Sequence, residues 1–244
     1  MKRRYRLLVV LVLFIYLFVF TSIFVESRAN VALSIQERSF SRKELLDDRG
    51  YKLDLPLMEG WNEKIRLYQS QIEDRKLDIY YNYGSYEKGR SIFYDKDSPF
   101  YNSHYGLYVI EGSYGLDNLD QVERLIKKDQ LNLVMGSLGI ERKDKFLSYS
   151  ISSMEDSTLE ASIRTNGPLH KKKEKLLGYL QYGSPPRDYD QEDFPLVDML
   201  GKIKIDYDQD LDVTYIFFVI TREEELLREI LDDLVIKTKI SLSA

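Results

Sequence analysis

The chain contains no cysteine. That excludes disulfides, thiolate zinc sites, a cysteine nucleophile and a lipid-modified N-terminal cysteine. An exported protein of this kind suits a cell surface that does not rely on oxidative folding. Histidine is nearly as scarce: His104 and His170 are the only two in 244 residues. Imidazole metal sites draw two or three converging ligands. These two stand far apart in turn-like settings (Asn-Ser-His-Tyr and Pro-Leu-His-Lys) and are expected at the surface. No Gly-x-Ser-x-Gly elbow aims a serine, and neither a phosphate loop nor a dinucleotide fingerprint occurs. No repeat recurs at a fixed period. The sequence therefore names no catalytic residue, no metal ligand set and no cofactor.

The N-terminus is the strongest positive signal. Lys2, Arg3, Arg4 and Arg6 precede an uncharged run from Leu7 to Val25, and Glu26 ends it. As a helix this run covers about 28 Å, close to the roughly 30 Å hydrocarbon core of a bilayer. The basic flank is expected to stay in the cytoplasm while the remainder crosses. A cleavable signal peptide is the competing reading, with Ser27-Arg28-Ala29 as its cleavage site. The apolar run exceeds the usual length of such a peptide, which favours an uncleaved anchor. A pilin-type helix would carry an early glutamate, and Leu7 to Val25 has none.

This topology changes the charge balance. Removing four basic residues from 35 leaves 31 against 40 acidic ones, a formal charge of −9 outside the membrane. Such a domain disfavours nucleic acid, whose binding rests on Lys and Arg at phosphates. It also disfavours anionic headgroups. It suits a basic protein partner, or it serves solubility alone.

Acidic residues concentrate at Asp206, Asp208, Asp210 and Asp212. Their spacing matches the first oxygen positions of a helix-loop-helix calcium loop. Leu211, however, stands where glycine must turn, and Phe217 where a bidentate glutamate belongs. The stretch reads first as an acidic hairpin tip, with a loose calcium site and an acidic contact for a basic partner as the two functional readings. The loop with Asp188, Asp190, Glu192 and Asp193 has the same character. His170 to Lys175 is a small basic cluster, expected as a solvated strand entrance.

Nine of the nineteen tyrosines lie between Tyr80 and Tyr114. Tyr81 shares a strand face with Leu77 and Ile79 and belongs to the core. Tyr83, Tyr86, Tyr94, Tyr101, Tyr105 and Tyr114 fall in or beside turns, where a buried phenol is hard to satisfy. Tyrosine gives large contact area at little cost in rotamer entropy, so these rings are candidates for a protein interface. Half-buried strands also favour tyrosine, and sugar stacking uses the same rings. The partner-binding candidates are Tyr83, Tyr86, Tyr94, Tyr101 and Tyr105 with Asp206, Asp208 and Asp210.

Along the chain, residues 1–6 form the basic tail, 7–25 the anchor, 26–58 a stalk and 59–244 the extracytoplasmic domain. Trp61, Ile65, Leu67 and Ile72 suggest an amphipathic helix over Glu59 to Glu73. Period-two patterns predict strands at Leu77 to Tyr81, Ser91 to Tyr94, Tyr105 to Glu111, Phe146 to Ile151 and Leu159 to Ile163. Another strand is expected at Leu176 to Tyr182. Asp117 is expected to open a helix carrying Leu119, Val122, Leu125 and Ile126, with a continuation over Leu131 to Leu138. Ile203 to Tyr207 and Val213 to Ile220 form a hairpin whose second arm, apolar on both faces, is a central strand. Thr221-Arg-Glu-Glu224 reads as a capping box before a helix with Leu226, Leu227, Ile230, Leu231 and Leu234 on one face. The fold class is α+β: a mostly antiparallel β-sheet with helices packed on one side, preceded by one transmembrane helix.

The single anchor after MKRRYR, the cysteine-free ectodomain, the α+β order and the meander LDIYYNYGSYEKG together resemble the TipC-family immunity proteins. The likeness is one of layout over most of the chain, and no signature motif carries a family residue across. It implies a protein anchored outside a Gram-positive cell. There it would bind and neutralise a secreted toxin that attacks the lipid-linked cell-wall precursor. The alternative class is a cell-wall carbohydrate-binding module or an envelope hydrolase. Pairs such as Glu155 with Asp156, or Glu111 with Asp117, could serve as acid and base. Nothing in the sequence selects one pair.

Overall fold

The computed structural model describes residues 2–20, 43–61, 63, 65–83, 86–87, 90–91, 97–101, 103–116, 118–127, 147–155, 158–165 and 197–243. The expected elements at 131–138 and 176–182 and the loop 183–193 lie outside these residues, as does the basic cluster at 170–175.

Helix α1 spans Lys2–Phe20, and its side chains from Leu7 to Tyr16 are exposed. Among the described residues no helix is long and apolar enough to cross a membrane. The uncharged part of α1, residues 7–20, covers about 21 Å, and residues 21–25 of the expected anchor lie outside the description.

Among the described residues the main element is a seven-stranded sheet. Its strands are β2 (Arg66–Ile72), β3 (Arg75–Tyr83), β6 (His104–Glu111), β7 (Leu147–Glu155), β8 (Thr158–Thr165), β9 (Val197–Asp208) and β10 (Val213–Thr221). Their order is β2-β3-β6-β10-β9-β8-β7, and every pairing is antiparallel. A two-stranded ribbon pairs β1 (Tyr51–Asp54) with β11 (Lys239–Leu242). A second ribbon pairs β4 (Tyr86–Glu87) with β5 (Arg90–Ser91). The α+β class and the antiparallel sheet agree with the expectation. So does the hairpin of β9 and β10: VTYIFFVI buries both faces because β10 stands fourth of seven, flanked on each side.

The two faces follow from the register. Val213, Tyr215, Phe217 and Val219 of β10 point the same way as Tyr105, Leu107 and Val109 of β6 and Tyr80 of β3. Helix α3 (Glu224–Lys237) packs here through Leu227, Ile230, Leu231 and Leu234. Helix α2 (Leu119–Lys127) belongs to the other face. Tyr114 before it donates its N–H to Thr214 Oγ1 at 2.9 Å, and Val122 and Ile205 both crowd Gly115. The helices therefore do not share one side of the sheet, contrary to the expectation. Both faces of β6 and β10 are apolar, so each needs its own cover.

Two local expectations are corrected. The amphipathic helix over 59–73 is instead β2, because Tyr68, Ser70 and Ile72 alternate inward and pair with β3. Glu73 and Asp74 make the two-residue turn with positive φ at both (48° and 65°), the geometry that suits a twisted hairpin. The capping box does not form either. Thr221 is the buried last residue of β10, its hydroxyl accepts from Ser103 Oγ at 3.2 Å, and Glu223 is the N-cap without a side-chain cap bond. Asn118 caps α2, its Oδ1 accepting from Asp120 N at 3.1 Å.

Residues 26–42 of the expected stalk lie outside the described residues, and the part from 43 to 58 differs from the expectation. Leu45 and Leu46 are 0% and 1% exposed and join Leu53, Leu55 and Trp61 in the core under α3. Residues 43–58 are thus part of the folded domain. Asp78, itself buried on β3, secures them: its carboxylate accepts from Leu45 N at 2.6 Å and from Gln69 Nε2 at 3.3 Å.

Candidate functional site

The tyrosine-rich stretch builds the core. Tyr81, Tyr101, Tyr105 and Tyr114 are fully buried, and Tyr80 and Tyr108 nearly so. Tyr101 and Tyr105 therefore present no ring to a partner, which corrects the interface expectation for both. The turns holding them are roofed over, and most of their phenols find partners. Tyr105 OH accepts from Asn82 Nδ2 at 2.9 Å and donates to Pro56 O at 3.0 Å, and Tyr114 OH donates to Gln121 O at 3.3 Å. Trp61 sets its edge against Tyr105 and Phe100, with centroids 4.8 and 5.3 Å apart. Among the described residues the Tyr101 hydroxyl has no hydrogen-bond partner, while Arg222 lies 6.0 Å from its ring centroid. Burial pushes both the Tyr101 and Tyr105 phenols up to about 12. Tyr83 and Tyr86 sit on β3 and β4, but their side chains lie outside the described residues, as does all of Tyr94.

His104 is also buried rather than superficial, with its ring tilted 5.6 Å from Tyr81 and 6.1 Å from Phe218. It is a packed aromatic of β6. His170 lies outside the described residues.

The carboxylates present a different picture. The hairpin tip from Asp208 to Val213 carries Asp210 exposed and Asp208 half-buried, and Asp206 is exposed on β9 just before it. Some of its oxygens serve the turn itself. Asp208 Oδ1 accepts from Leu211 N at 2.9 Å, and Asp212 Oδ1 accepts from Tyr207 OH at 2.8 Å. Among the described residues no group of three metal-ligating side chains occurs. The tip is fixed to its neighbours through the Asp212 carbonyl, which accepts from Gly112 N at 2.8 Å and Arg49 Nη2 at 3.4 Å.

Arg49 closes the 3-10 turn Asp47–Arg49, so that contact joins two acidic segments about 160 residues apart in sequence. Tyr215 lies beneath this junction. Its phenol is held well above the ordinary range, first by burial and then by Asp208 and Asp206, against an opposing effect of Arg49. Asp47 and Asp48 on the turn, and Asp206, Asp208 and Asp210 at or beside the tip, thus share one end of the sheet, where Arg49 stands between the two segments and Lys76 lies 3.9 Å from the Asp48 carboxylate. The sequence marked the tip; it held no sign that the 3-10 turn would join it.

Beside the turn opens a cleft of about 450 Å³. Among the described residues, Leu53, Leu55, Leu57, Ile65, Leu67 and Tyr80 supply its apolar lining, and Glu44, Asp47, Asp54 and Glu63 surround it together with Lys52. Tyr80 OH donates to Glu44 Oε2 at 2.5 Å. Burial, and then this carboxylate, hold the Tyr80 phenol far above its usual range. Sequence reasoning missed the cleft because residues 52–57 read as stalk and 65–67 as helix.

Of the carboxylate pairs considered for acid–base chemistry, Asp156 and Asp117 lie outside the described residues, as does the Glu155 side chain. Glu111 Oε2 accepts from Lys76 N at 3.4 Å. Comparison with known protein families, with curated proteins and with solved structures finds no match.

Proposed function

We propose that this chain is a membrane-anchored extracytoplasmic binding protein. In this reading it captures and neutralises a secreted antibacterial toxin acting at the cell envelope, as its resemblance to the TipC-family immunity proteins implies. Residues 7–25 hold it in the bilayer with the basic N-terminus inside, and the acidic domain faces outward.

One observation carries the reading: the fold gathers Asp47, Asp48, Asp206, Asp208 and Asp210 at one end of the sheet. Clustered like charges repel one another and lower stability. Their gain comes when a basic surface approaches, because complementary fields raise the encounter rate. The exposed apolar side chains of α1 support the anchor, since a lipid environment would cover them.

The test presents the purified full chain, in neutral detergent micelles, to the secreted proteins encoded beside its own gene. Capture of one of them, and survival of sensitive cells that carry the full chain, is the expected result. Survival should be lost when Asp206, Asp208 and Asp210 are all changed to asparagine. Failure of every neighbouring secreted protein to bind would overturn the proposal. Protease added to intact cells should remove the folded domain; protection until lysis would overturn the topology.

A further inference from the structure

This step rests on the reading of the acidic end as a protein-binding surface and gives its partner a chemistry. We infer that the cleft between residues 52–57 and β2 receives a partner segment in which apolar side chains are flanked by lysine or arginine. Its volume of about 450 Å³ falls within the roughly 300–1,000 Å³ of ligand-binding sites.

The apolar lining explains the first half of that chemistry. Leu57 is 58% exposed and Leu67 36% exposed, and both converge on the same cleft over the buried Leu53 and Leu55. Single exposed leucines are ordinary on a soluble surface. Two that wall one concavity offer apolar area that an inserted side chain would remove from water.

The charges explain the second half. Among the described residues, four carboxylates, Glu44, Asp47, Asp54 and Glu63, and one ammonium, Lys52, line the cleft. An anionic ligand or an acidic peptide would meet like charge, whereas lysine or arginine beside an inserted leucine would meet the rim. Asp47 belongs both to the rim and to the acidic end, so one basic segment can engage the two surfaces continuously.

The experiment uses the full chain in neutral micelles and three fluorescein-labelled peptides, read by anisotropy at low salt. Their cores alternate Lys with Leu, Glu with Leu, or Lys with Gln. Only the Lys-Leu peptide should bind well. Leu57→Asn and Leu67→Asn should each weaken it about tenfold, the value of burying part of one leucine side chain. Unchanged Trp61 emission and circular dichroism confirm that the variants fold.

Binding that ignores both leucines but falls when Asp206, Asp208 and Asp210 become asparagine sinks the cleft and leaves the acidic surface standing. No binding of any basic peptide sinks both. Self-association of the chain that Leu57→Asn relieves assigns the cleft to a second copy and overturns the inference.

Discussion

Leu45→Ala tests whether residues 43–58 belong to the fold. Leu45 is fully buried in the core shared with Trp61 and α3, and its own N–H is held by the buried carboxylate of Asp78. Truncation removes methyl groups from a closed site that cannot collapse, because the backbone on one side is tied to β3. Such changes cost about 2–5 kcal/mol. A value near 3 kcal/mol, with a urea slope of about 2 kcal/mol per M, lowers the midpoint by about 1.5 M. The chain carries its own reporter. Trp61 is the single tryptophan, 3% exposed in the same cluster, and its emission moves to the red when the core opens. The assay is urea unfolding of the full chain in neutral micelles, followed by that emission, beside the exposed control Leu57→Ala. A stalk residue would change stability by no more than about 0.5 kcal/mol. A midpoint shift below about 0.3 M for Leu45→Ala would refute the placement of this segment in the core.

Gly106→Ala should destabilise by about 3 kcal/mol or more, since its Cβ would lie 2.1 Å from Tyr80 O and 2.8 Å from the Phe218 ring; an unchanged unfolding midpoint would contradict the β3–β6 register. Alkaline titration should show cooperative unfolding. The Tyr101 and Tyr105 phenols rise to about 12 in the fold against about 10 in the unfolded chain. The folded state thus holds those protons more tightly: its stability is full below about pH 10 and falls as pH rises through about 12. Smooth appearance of all tyrosinates near pH 10 with circular dichroism intact would refute the burial. Asp208→Ala removes the acceptor for Leu211 N and should cost about 1 kcal/mol. Amide exchange at Leu211 should then speed about fivefold while that of Phe217 changes little; equal rates in both variants would show that the carboxylate does not hold the turn.

The elements that could be read from the sequence are those in which one pattern had one structural solution. The run from Val213 to Ile220, apolar at all positions but Thr214, fits only a strand covered on both faces, and α3 places Leu227, Ile230, Leu231 and Leu234 on one stripe. Residues 59–73 allowed two solutions, because Trp61, Ile65 and Ile72 fit a helical period. Glu73-Asp74 lacks the Asn-Gly or Asp-Gly form that usually announces a hairpin turn. The inward positions are Tyr68, Ser70 and Ile72, and the polar Ser70 among them hid the period of two. The tyrosines misled for a different reason. Turn position predicts exposure only when nothing packs over the turn. Here Pro56 O and Asn82, both distant in sequence, complete Tyr105, and such partners are invisible before the fold is known. The acidic end was half legible. The tip stood out by composition, while the Asp47–Arg49 turn joined it through one arginine contact that no local rule contains.

Those two origins give the surface a kinetic signature. Asp206 and Asp210 are exposed and Asp208 is half-buried, and their charges act at a distance, so they govern how often a basic partner arrives; that effect is screened within a Debye length of about 8 Å at physiological salt. The cleft leucines act only on contact, after the partner has arrived. Replacing Asp206, Asp208 and Asp210 with asparagine should therefore lower the association rate about tenfold at low salt and flatten its salt dependence, leaving dissociation nearly unchanged. Leu57→Asn should do the reverse, speeding dissociation about tenfold while association keeps its salt dependence. Stopped-flow measurement with the Lys-Leu peptide separates the two rates. If both variants changed dissociation alone, the aspartates would be contact residues, and the account of a steering field around this end of the sheet would be wrong.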